Sequence, residues 1–436
     1  MMNLELIAPL WRHEGWEHER VKDLLPPLGL AAVAAVTPKH IHVNITDENI
    51  EDIDYGKDVD LVGITASTPQ ALRAYKIADR FRERGIKVAL GGIHPSALPE
   101  EALQHADIVV VGQAEGIWEK VIADVERGEF QRIYVNSNPT KLEDIPIPRK
   151  DLFAKYKDSY LTANVIQTTR GCPFNCSFCV VTSFFGRTFR HRRVEDVIEE
   201  AGSVSGDFVF FVDDNIAVNR SYAKLLFESL MPLGKKWVSQ ASIDVAEDDE
   251  LLSLASASGC IALFLGFETL SQDGLREIDK PVNERIDYKD AIAKIRSHGI
   301  GVYGAFILGL DIDTRDVFEK TLEFAINNRL EAANFAILTP HPGTRLRAKL
   351  EKENRITHSD WSKYDGGNVA FKPKLMSPEE LQEGHDWMKQ QFYSLSSIVK
   401  RLLGKKKNLS FFLPYNFMYN RGPLKKLITY LGRSRY

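Results

Sequence analysis

Three of the four cysteines lie within eight residues of one another, at Cys172, Cys176 and Cys179. The spacing C-x3-C-x2-C places three thiols on one short loop, directly after the β-rich run ANVIQTT. Thiolates are the ligands that iron–sulfur clusters use. Three such ligands on a four-iron cluster leave one iron open to bind a substrate, and the spacing predicts a cluster of this kind.

A zinc site is the main alternative for these cysteines, and structural zinc requires four ligands in tetrahedral geometry. His191 could supply the fourth ligand, but it lies twelve residues beyond Cys179, which is poor spacing for a zinc knuckle. Cys260 starts an apolar run and is expected to be a small core residue. Free thiols clustered by chance are the remaining alternative. The open-iron cluster is favoured over both, because the spacing and the strand–loop context agree.

The cysteine loop belongs to a series in which β-rich runs alternate with helical runs. Such alternation predicts a partial or full barrel of parallel strands, with the loop after its first strand. The strand candidates are ANVIQTT, DFVFFVD, KWVSQASID, CIALFLGFE, GVYGAFILGL and AANFAILTP.

A second βα pattern precedes this series, with strand candidates LELIAPL, HIHVNI, VDLVGIT, KVALGG and DIVVVG. Nearly continuous apolar runs are typical of a parallel sheet covered on both faces, so we expect a doubly wound α/β domain. Ligands bind such sheets at the carboxyl ends of the strands, here at residues 65–68, 91–95 and 112–116. These segments are rich in glycine and small hydroxyl residues, which let a large flat or phosphorylated ligand approach the backbone. Tight βα turns are the alternative explanation for each segment.

Composition excludes several classes of protein. The 436 residues are 44% hydrophobic and 27% charged, as in a globular protein, so a wholly disordered chain and a disulfide-rich mini-protein are excluded. The net charge of −4 gives no whole-chain attraction for nucleic acid, and no nucleic-acid partner is expected. No run of 18 apolar residues predicts a membrane-spanning helix, and the N-terminal sequence has no pattern of a signal peptide. We therefore expect a cytoplasmic protein.

The cysteine motif in its strand–loop context resembles that of the radical S-adenosylmethionine (SAM) superfamily. Residues 1 to about 375 resemble the cobalamin (B12)-binding class of that superfamily, methyltransferase type. Gly91–Pro95 matches the GG-x-H-P pattern of this class, and Asp107–Gly112 with Glu115 matches D-x-V-V-x-G-x-x-E. Thr339–Thr344 matches the T-P-x-P-G-T signature.

The resemblance implies a domain order. Residues 1–140 would form a Rossmann-like B12-binding domain and 141–158 a linker. Residues 159–375 would form a partial (β/α)6 radical SAM barrel, and 376–436 a small helical extension, basic and aromatic in composition. The expected fold class is α/β throughout.

The resemblance also implies cofactors and residues that bind them. The cofactors are a [4Fe–4S] cluster on Cys172, Cys176 and Cys179, SAM, and cobalamin. One electron into the cluster would cleave SAM to methionine and a 5′-deoxyadenosyl radical, which abstracts hydrogen from an unactivated carbon. The residues implied for SAM are Phe178, Asp213, Asp214, Asn215, Gln240, Ser242, Glu268 and Gly309. Those implied for cobalamin are Thr65, Ser67, Thr68, Gly91, Gly92, His94, Gly112 and Glu115.

Two departures leave alternatives open. The N-terminal domain lacks the D-x-H-x-x-G motif that supplies a cobalt-coordinating histidine in many B12 proteins, and its first loop reads Trp11–Trp16 instead. That absence also permits a domain that no longer binds B12. His94 is better explained as a cap or a point of close backbone approach than as a cobalt ligand. Asp213, Asp214 or Asn215 could equally cap the helix that follows.

Three functions follow from these patterns. The favoured one is cobalamin-dependent methylation of an unactivated carbon of a lipid-like or other apolar metabolite. The alternative is a B12-independent radical cyclisation, ring contraction or oxidation on the same scaffold, which bulky residues at 65–68, 91–95 and 112–116 would favour. The third is a non-catalytic iron–sulfur or zinc protein. A flavodoxin- or ferredoxin-type protein is the expected electron donor, and no catalytic residue is assigned.

The C-terminal segment differs in charge from the rest of the chain. After Asp386 there is no acidic residue, but there are eleven basic ones, with aromatic residues among them. Basic and aromatic residues together are what an anionic membrane surface attracts, so we expect possible peripheral contact at the inner face of the membrane. A solvated basic tail with its aromatic residues packed on the barrel is the equal alternative. Radical SAM enzymes of this class that act on hopanoids and chlorophyll precursors provide the analogy for an apolar substrate.

Overall fold

A computed structural model of the chain describes residues 2–11, 25–138, 140–404 and 407–419. Its contacts divide into two units. The first comprises Met1–Asp214 and Thr339–Asp365, and the second comprises Asn215–Leu338 and Gly366–Tyr436. This division differs from the domain boundaries expected from the sequence, which stay a prediction.

The strands in the described residues are almost all short and parallel. They are β1 (Asn3–Ala8), β2 (His42–Asp47), β3 (Leu61–Thr65), β4 (Lys87–Gly91), β5 (Ile108–Val111), β6 (Ile133–Val135), β7 (Val165–Ile166), β8 (Thr169–Arg170), β9 (Arg190–His191), β10 (Phe208–Phe211), β11 (Lys236–Ala241), β12 (Cys260–Glu268), β13 (Gly301–Leu308) and β14 (Ala332–Ile337).

Helices alternate with most of these strands. They are α1 (Leu28–Ala35), α2 (Ala71–Arg82), α3 (Ile93–Ala97), α4 (Pro99–Ala102), α5 (Trp118–Arg127), α6 (Val180–Phe185), α7 (Val194–Ser203), α8 (Arg220–Leu230), α9 (Asp249–Ala257), α10 (Gln272–Glu277), α11 (Pro281–Glu284), α12 (Tyr288–Ser297), α13 (Asp316–Asn327), α14 (Arg345–Lys352), α15 (Pro378–Phe392), α16 (Leu395–Leu402) and α17 (Leu409–Tyr419). None of the described helices is both long and apolar enough to cross a bilayer.

The first unit contains a parallel six-stranded sheet in the order β2-β1-β3-β4-β5-β6. Its central strands are buried on both faces, which explains why their sequences are continuously apolar. The strand order reverses between β1 and β3, and ligands of doubly wound sheets bind at such a reversal. The doubly wound N-terminal domain expected from the sequence is confirmed, with β6 as a strand that the sequence analysis missed.

The same unit holds the start of the second βα series. Strand β7 pairs in parallel with β10, and Phe210 lies opposite Val165. Strands β8 and β9 form a short antiparallel ribbon in which Arg170 lies opposite Arg190. This ribbon was not expected, because two-residue strands leave too little periodicity to detect.

The second unit continues the series with β11, β12, β13 and β14, all parallel. One phenylalanine from each of the last three strands forms a stacked row. Phe267 and Phe306 lie 5.3 Å apart between ring centroids, and Phe306 and Phe335 lie 5.6 Å apart. Phe324 of α13 packs edge-on against Phe306. Six strands of this series lie where the sequence predicts them, and the α/β class is confirmed.

The C-terminal helices pack within the second unit. This agrees with the alternative in which the aromatic residues of the tail pack on the rest of the protein. Phe412 of α17 lies against Gly301, where even a Cβ atom would collide with its ring, and Tyr415 donates to Tyr303 over 3.2 Å. Arg401 is wholly buried and donates to Asn416 over 2.7 Å. Counting Arg401 among the basic residues of a membrane-facing tail is therefore wrong. The basic residues from 421 onward, with Lys405 and Lys406, lie outside the described residues.

Candidate active site: the cysteine loop and its adjoining cavity

The loop that carries the three cysteines begins at a backbone turn that only glycine suits. Gly171 has φ +87°, and a Cβ atom there would lie 2.3 Å from the carbonyl oxygen of Thr188. Its N–H donates to Asp214 over 3.0 Å. The loop therefore leaves β8 in a fixed direction, with Cys172 directly after the turn.

Asp213, one of the expected SAM ligands, holds the strand that leads into this turn. Its carboxylate accepts from the backbone N–H of Thr168 over 2.8 Å, from that of Thr169, and from both threonine hydroxyls. The side chain is fully buried, and this burial raises its pKa to about 7 although the four hydrogen bonds lower it. These contacts are those of a residue that shapes the loop. A direct contact with SAM stays a prediction, and Asp214 is the better placed of the two because it is less buried.

The T-P-x-P-G-T motif supports the same loop from another side. Thr344 caps α14 by accepting from the N–H of Arg347. The N–H of Leu346 then donates to the carbonyl oxygen of Ser177 over 2.9 Å, and Arg345 donates to that of Asn175. Both acceptors lie between the cysteines, so this motif holds the loop in shape.

The three motif cysteines differ from the fourth in surroundings. Cys176 is buried, whereas Cys172 and Cys179 are half-buried, and none of the three forms a disulfide. Burial raises the pKa of the Cys260 thiol well above its usual range, as expected of a neutral core residue. Among the described residues, no three His, Cys, Asp or Glu side chains converge on a point where one metal ion would bind. A cluster assigns each cysteine to a different iron, so its ligands are not required to converge. Phe178 lies half-buried on the same loop.

A cavity of about 440 Å³ lies at the carboxyl ends of β3, β4 and β5, beside the reversal in strand order. Its floor is apolar and includes Leu6, Gly63 and Trp118. Polar side chains, among them Gln113, Glu115, Gln167 and Arg170, form another part of the lining, which we call the rim. Phe184 and Phe185, which follow the cysteine loop, line the cavity as well.

Six of the eight residues expected at cobalamin line this cavity: Thr65, Ser67, Gly91, Gly92, Gly112 and Glu115. Thr68 and His94 do not line it. His94 is fully buried, and its Nε2 lies 3.2 Å from Glu101, which also accepts from Tyr75 and Trp361. Burial lowers the pKa of His94, so the ring is neutral at pH 7. Its contacts anchor the Gly91–Pro95 turn, and they agree with a cap more than with a cofactor ligand.

Arg170 is the residue that joins the cavity to the cysteine loop. It immediately precedes Gly171 and donates to Gln113 over 2.8 Å, to Glu115 over 3.1 Å and to Gln167 over 2.8 Å. Arg170, Gln113 and Glu115 are all buried. Glu115 was expected to contact cofactor directly, but its carboxylate is paired with this arginine at the cavity rim.

Sequence reasoning missed part of the cavity wall. Leu142, Ile145, Pro146 and Pro148 line it, although proline-rich composition assigned them to a linker. Arg170 was missed as well. Its position directly before Gly171-Cys172 and after a strand was the one available signal.

In the second unit, two of the expected SAM residues meet. Asn215 donates to the hydroxyl of Ser242 over 2.9 Å, and Ser242 donates in turn to Asp244. Gln240 is the penultimate residue of β11, with its side chain exposed, and Ser242 directly follows that strand. These two therefore lie at the carboxyl end of β11, where Asn215, which follows β10, meets them through Ser242.

Glu268 and Gly309 are positioned by their own neighbours. Glu268 is a buried non-glycine residue at φ +62°, a strained conformation of the kind that clusters at functional sites. It accepts from Lys280 over 2.7 Å, and this partner explains how a buried carboxylate is tolerated. Gly309 has φ +95°, and its N–H donates to Asp313 over 2.9 Å.

Comparison with known proteins agrees with this geometry. Residues 166–325 match the model of the radical SAM superfamily, and residues 19–122 match that of the B12 binding domain. The chain is 34% identical over 407 residues to the bacteriochlorophyllide d C-12(1)-methyltransferase of Chlorobaculum tepidum, covering 91% of this chain and 88% of that protein. It is 33% identical to the C-8(2)-methyltransferase of the same organism, covering 80% and 82%.

The chain belongs to the radical SAM methyltransferases that carry a B12-binding domain. The solved structure of the radical SAM methyltransferase TsrM from Kitasatospora setae, with cobalamin and a [4Fe–4S] cluster bound, has the same fold at a TM-score of 0.69 and 15% identity. That match covers 89% of this chain and 88% of TsrM. The cofactors of this enzyme are a [4Fe–4S] cluster, SAM and cobalamin.

The residues present fit these cofactors. Three cysteines that form no disulfide, on one loop held by hydrogen bonds, suit a cluster with an open iron. An apolar floor below a rim with amide and guanidinium groups suits cobalamin, whose flat ring carries amide side chains.

Proposed function

We propose that this enzyme transfers a methyl group to an unactivated sp3 carbon of a large apolar ring compound, with a chlorophyll-type tetrapyrrole as the substrate class. Two curated relatives above 30% identity are methyltransferases that act on bacteriochlorophyllide d, and they support this class. The basic and aromatic C-terminal segment, which favours an apolar metabolite, is consistent with the same substrate chemistry.

The observation that carries the methyl transfer is the cavity beside the cysteine loop. Small residues, among them Gly91, Gly92 and Gly112, keep it open at the carboxyl ends of the strands. A side chain at Gly92 would meet the backbone of Ala66 within 3.0 Å. The B12-independent alternative expects bulky residues in these segments, so the open cavity favours the cobalamin-dependent reaction.

When bound, the cluster with SAM supplies a carbon-centred radical, and cobalamin supplies the methyl group. The contribution of the chain is to hold and separate these groups. Cys172, Cys176 and Cys179 would bind the cluster irons, and the hydrogen bonds to Asp213, Asp214 and α14 keep their loop in one shape. A fixed loop matters because a reactive radical attacks any group within reach, and precise positioning excludes such side reactions.

An anaerobic reconstitution tests this function. The full chain is loaded with iron, sulfide and hydroxocobalamin, reduced, and given methyl-deuterated SAM with a bacteriochlorophyllide. We expect 5′-deoxyadenosine together with a product that carries one deuterated methyl group. A hopanoid precursor serves as the comparison substrate. 5′-Deoxyadenosine without any methylated tetrapyrrole would contradict the proposed substrate class. A chain that forms 5′-deoxyadenosine but binds no cobalt would contradict the cobalamin-dependent methyl transfer.

Two further assignments belong to this proposal. A flavodoxin- or ferredoxin-type protein would deliver the electron to the cluster. The enzyme would bind the inner face of a membrane and would meet its apolar substrate there. The exposed side of α16 supports this contact, because Leu395 and Val399 lie one turn apart on it and are 48% and 57% exposed. Leu403, which is 69% exposed, directly follows the helix.

A further inference from the structure

The cavity and the cysteine loop share one buried connection, and it passes through Arg170. On one side, the guanidinium donates to Gln113 and Glu115, which follow β5 at the cavity rim. On the other side, the residue is bonded covalently to Gly171, and Gly171 to Cys172. A third bond, to Gln167 after β7, fixes the orientation of the guanidinium.

These contacts do more than form an ion pair, because they connect the cavity rim to the cysteine loop. Arg170 and Glu115 are both buried, with a 3.1 Å bond between them. Phe185, which follows the cysteines, lies 5.6 Å from the guanidinium, and it lines the cavity as Arg170 does. A ligand that fills the cavity therefore presses on Arg170 and Phe185, which lie just before and just after the cysteines.

We infer that Arg170 is a positioning residue that couples cobalamin occupancy to the order of the cysteine loop. Cobalamin in the cavity would restrict Arg170 and Phe185, and the loop between them would then hold its cluster more firmly. Such coupling is reciprocal in free energy, so a loaded cluster would also favour cobalamin binding. The inference rests on the proposed cobalamin-dependent function, but it concerns binding and needs no substrate.

The test measures how fast a ferrous chelator removes iron from the reconstituted full chain, with and without saturating hydroxocobalamin. In the wild type we expect cobalamin to slow iron loss by roughly tenfold, a usual size for coupling between sites. In Arg170→Lys, which keeps the charge but loses the forked geometry, the slowing should fall to about twofold or less. Absorbance at saturation confirms that the variant still binds hydroxocobalamin.

A matched control makes the same substitution at another arginine–glutamate pair, in which the glutamate is buried and the arginine is half-buried. Arg296 donates to Glu331 over 2.9 Å in the second unit, away from the cavity wall. Arg296→Lys should keep the wild-type protection. If Arg170→Lys does not fold, Glu115→Gln provides a second variant. It replaces the carboxylate that accepts from Arg170 with a neutral amide oxygen. Cobalamin should then slow iron loss by a factor between that of the wild type and that expected for Arg170→Lys.

A spectroscopic signature separates positioning from mere stability. The reductant that reduces the cluster also converts hydroxocobalamin to cob(II)alamin, which has its own electron paramagnetic resonance signal. With that signal subtracted, cobalamin should change the spectrum of the reduced cluster in the wild type and leave it unchanged in Arg170→Lys. Wild-type protection in Arg170→Lys, or no protection in the wild type, would overturn the inference. A methylated product absent from every substrate assay would instead count against the proposed function alone.

Discussion

Cys176 and Cys260 are both buried, but their surroundings predict opposite effects of the same substitution. Cys176→Ala removes one of three ligands on the braced loop, so we expect cluster iron and 5′-deoxyadenosine formation to fall to background. Cys260→Ala removes a small core group and should cost on the order of 1 kcal/mol of stability while both readouts persist. Iron analysis after reconstitution, with product assay, compares the pair. Equal loss in both variants would contradict the assignment.

Asp213 gives a prediction about pH. Its pKa is raised from 3.8 to about 7 by burial, so the folded state binds a proton more tightly than the unfolded state. The contribution to stability is therefore present below about pH 4 and is lost as pH rises through about 7. The asparagine in the variant Asp213→Asn cannot titrate. As pH rises from about 4 to about 7, the free energy of unfolding of the wild type should therefore decline relative to that of the variant.

Denaturant titrations of the cluster-free full chain at several pH values measure this difference. Asp213→Asn keeps an amide oxygen to accept from Thr168 and Thr169, so the variant is a conservative one. A constant difference between the two proteins across the range would show that the carboxyl group does not titrate there.

At the residue scale, the sequence predicts ligand types far better than it predicts their partners. The cysteine spacing is local, so Cys172, Cys176 and Cys179 were identified from three neighbouring positions. The pairing of Glu115 with Arg170 could not be predicted, because it joins residues 55 positions apart and no local pattern contains it. The same holds for Asp213, whose threonine partners lie about 45 positions earlier in the chain. The assignments of Glu115 to cobalamin and of Asp213 to SAM stay predictions.

At the scale of elements, β3 contributes Gly63 to the floor of the cavity. A Cβ atom at Gly63 would lie 2.8 Å from the side chain of Leu6, and both residues line the cavity. Gly63→Val should weaken hydroxocobalamin binding by roughly tenfold or more, since each 1.4 kcal/mol of lost contact is a factor of ten. Cluster iron should remain, because the substitution lies on the sheet.

Gly29→Ala is the matched control for this prediction. Gly29 also lines the cavity, but nothing lies within 4 Å of a Cβ atom built there. It should bind hydroxocobalamin as the wild type does, by absorbance titration. Weak binding by both variants would mean that the cavity tolerates no added group, and wild-type binding by Gly63→Val would mean that the floor is not in contact with cobalamin.

Helix α17 changes what a C-terminal truncation can test. A truncation that removes residues 404–436 tests membrane binding by the basic segment only if the remaining chain folds as before. The structure makes that truncation unsuitable, because it deletes Phe412 and Asn416, which contact Gly301 and Arg401. Removing α17 should lower the free energy of unfolding by about 3 kcal/mol or more, the usual cost of losing a buried aromatic side chain. Thermal unfolding of a chain that ends at residue 403, beside one that ends at Tyr419, measures this cost.

Most elements were predictable because their hydrophobic patterns are strong, and the exceptions are instructive. Strand β12 was expected over CIALFLGFE and spans Cys260–Glu268. The segment 141–148 was assigned to a linker, yet Leu142 and Pro146 form cavity wall. Proline-rich composition shows that a segment is irregular, but it does not show what that segment packs against.

At the scale of the whole chain, charge is unevenly distributed along the sequence. Eleven basic and no acidic residues follow Asp386, although the net charge of the chain is −4. Repulsion by the remaining acidic residues would weaken binding to an anionic membrane, unless the basic segment acts locally. Ionic attraction falls off within about 8 Å at physiological salt, so a short basic segment can bind a surface that the rest of the chain does not approach.

A chain that ends at Tyr419 isolates this effect, because it keeps α17 and loses Arg421, Lys425, Lys426, Arg433 and Arg435. Each basic residue near an anionic surface contributes about 1 kcal/mol, so the truncated chain should bind phosphatidylserine vesicles at least about tenfold more weakly. Binding of the full chain should also weaken as salt rises, and both chains should bind phosphatidylcholine poorly. Vesicle sedimentation measures each case, with iron content as the check that both chains are folded. Equal binding of the two chains to anionic vesicles would place any membrane contact before residue 420, where the exposed side of α16 is the remaining candidate.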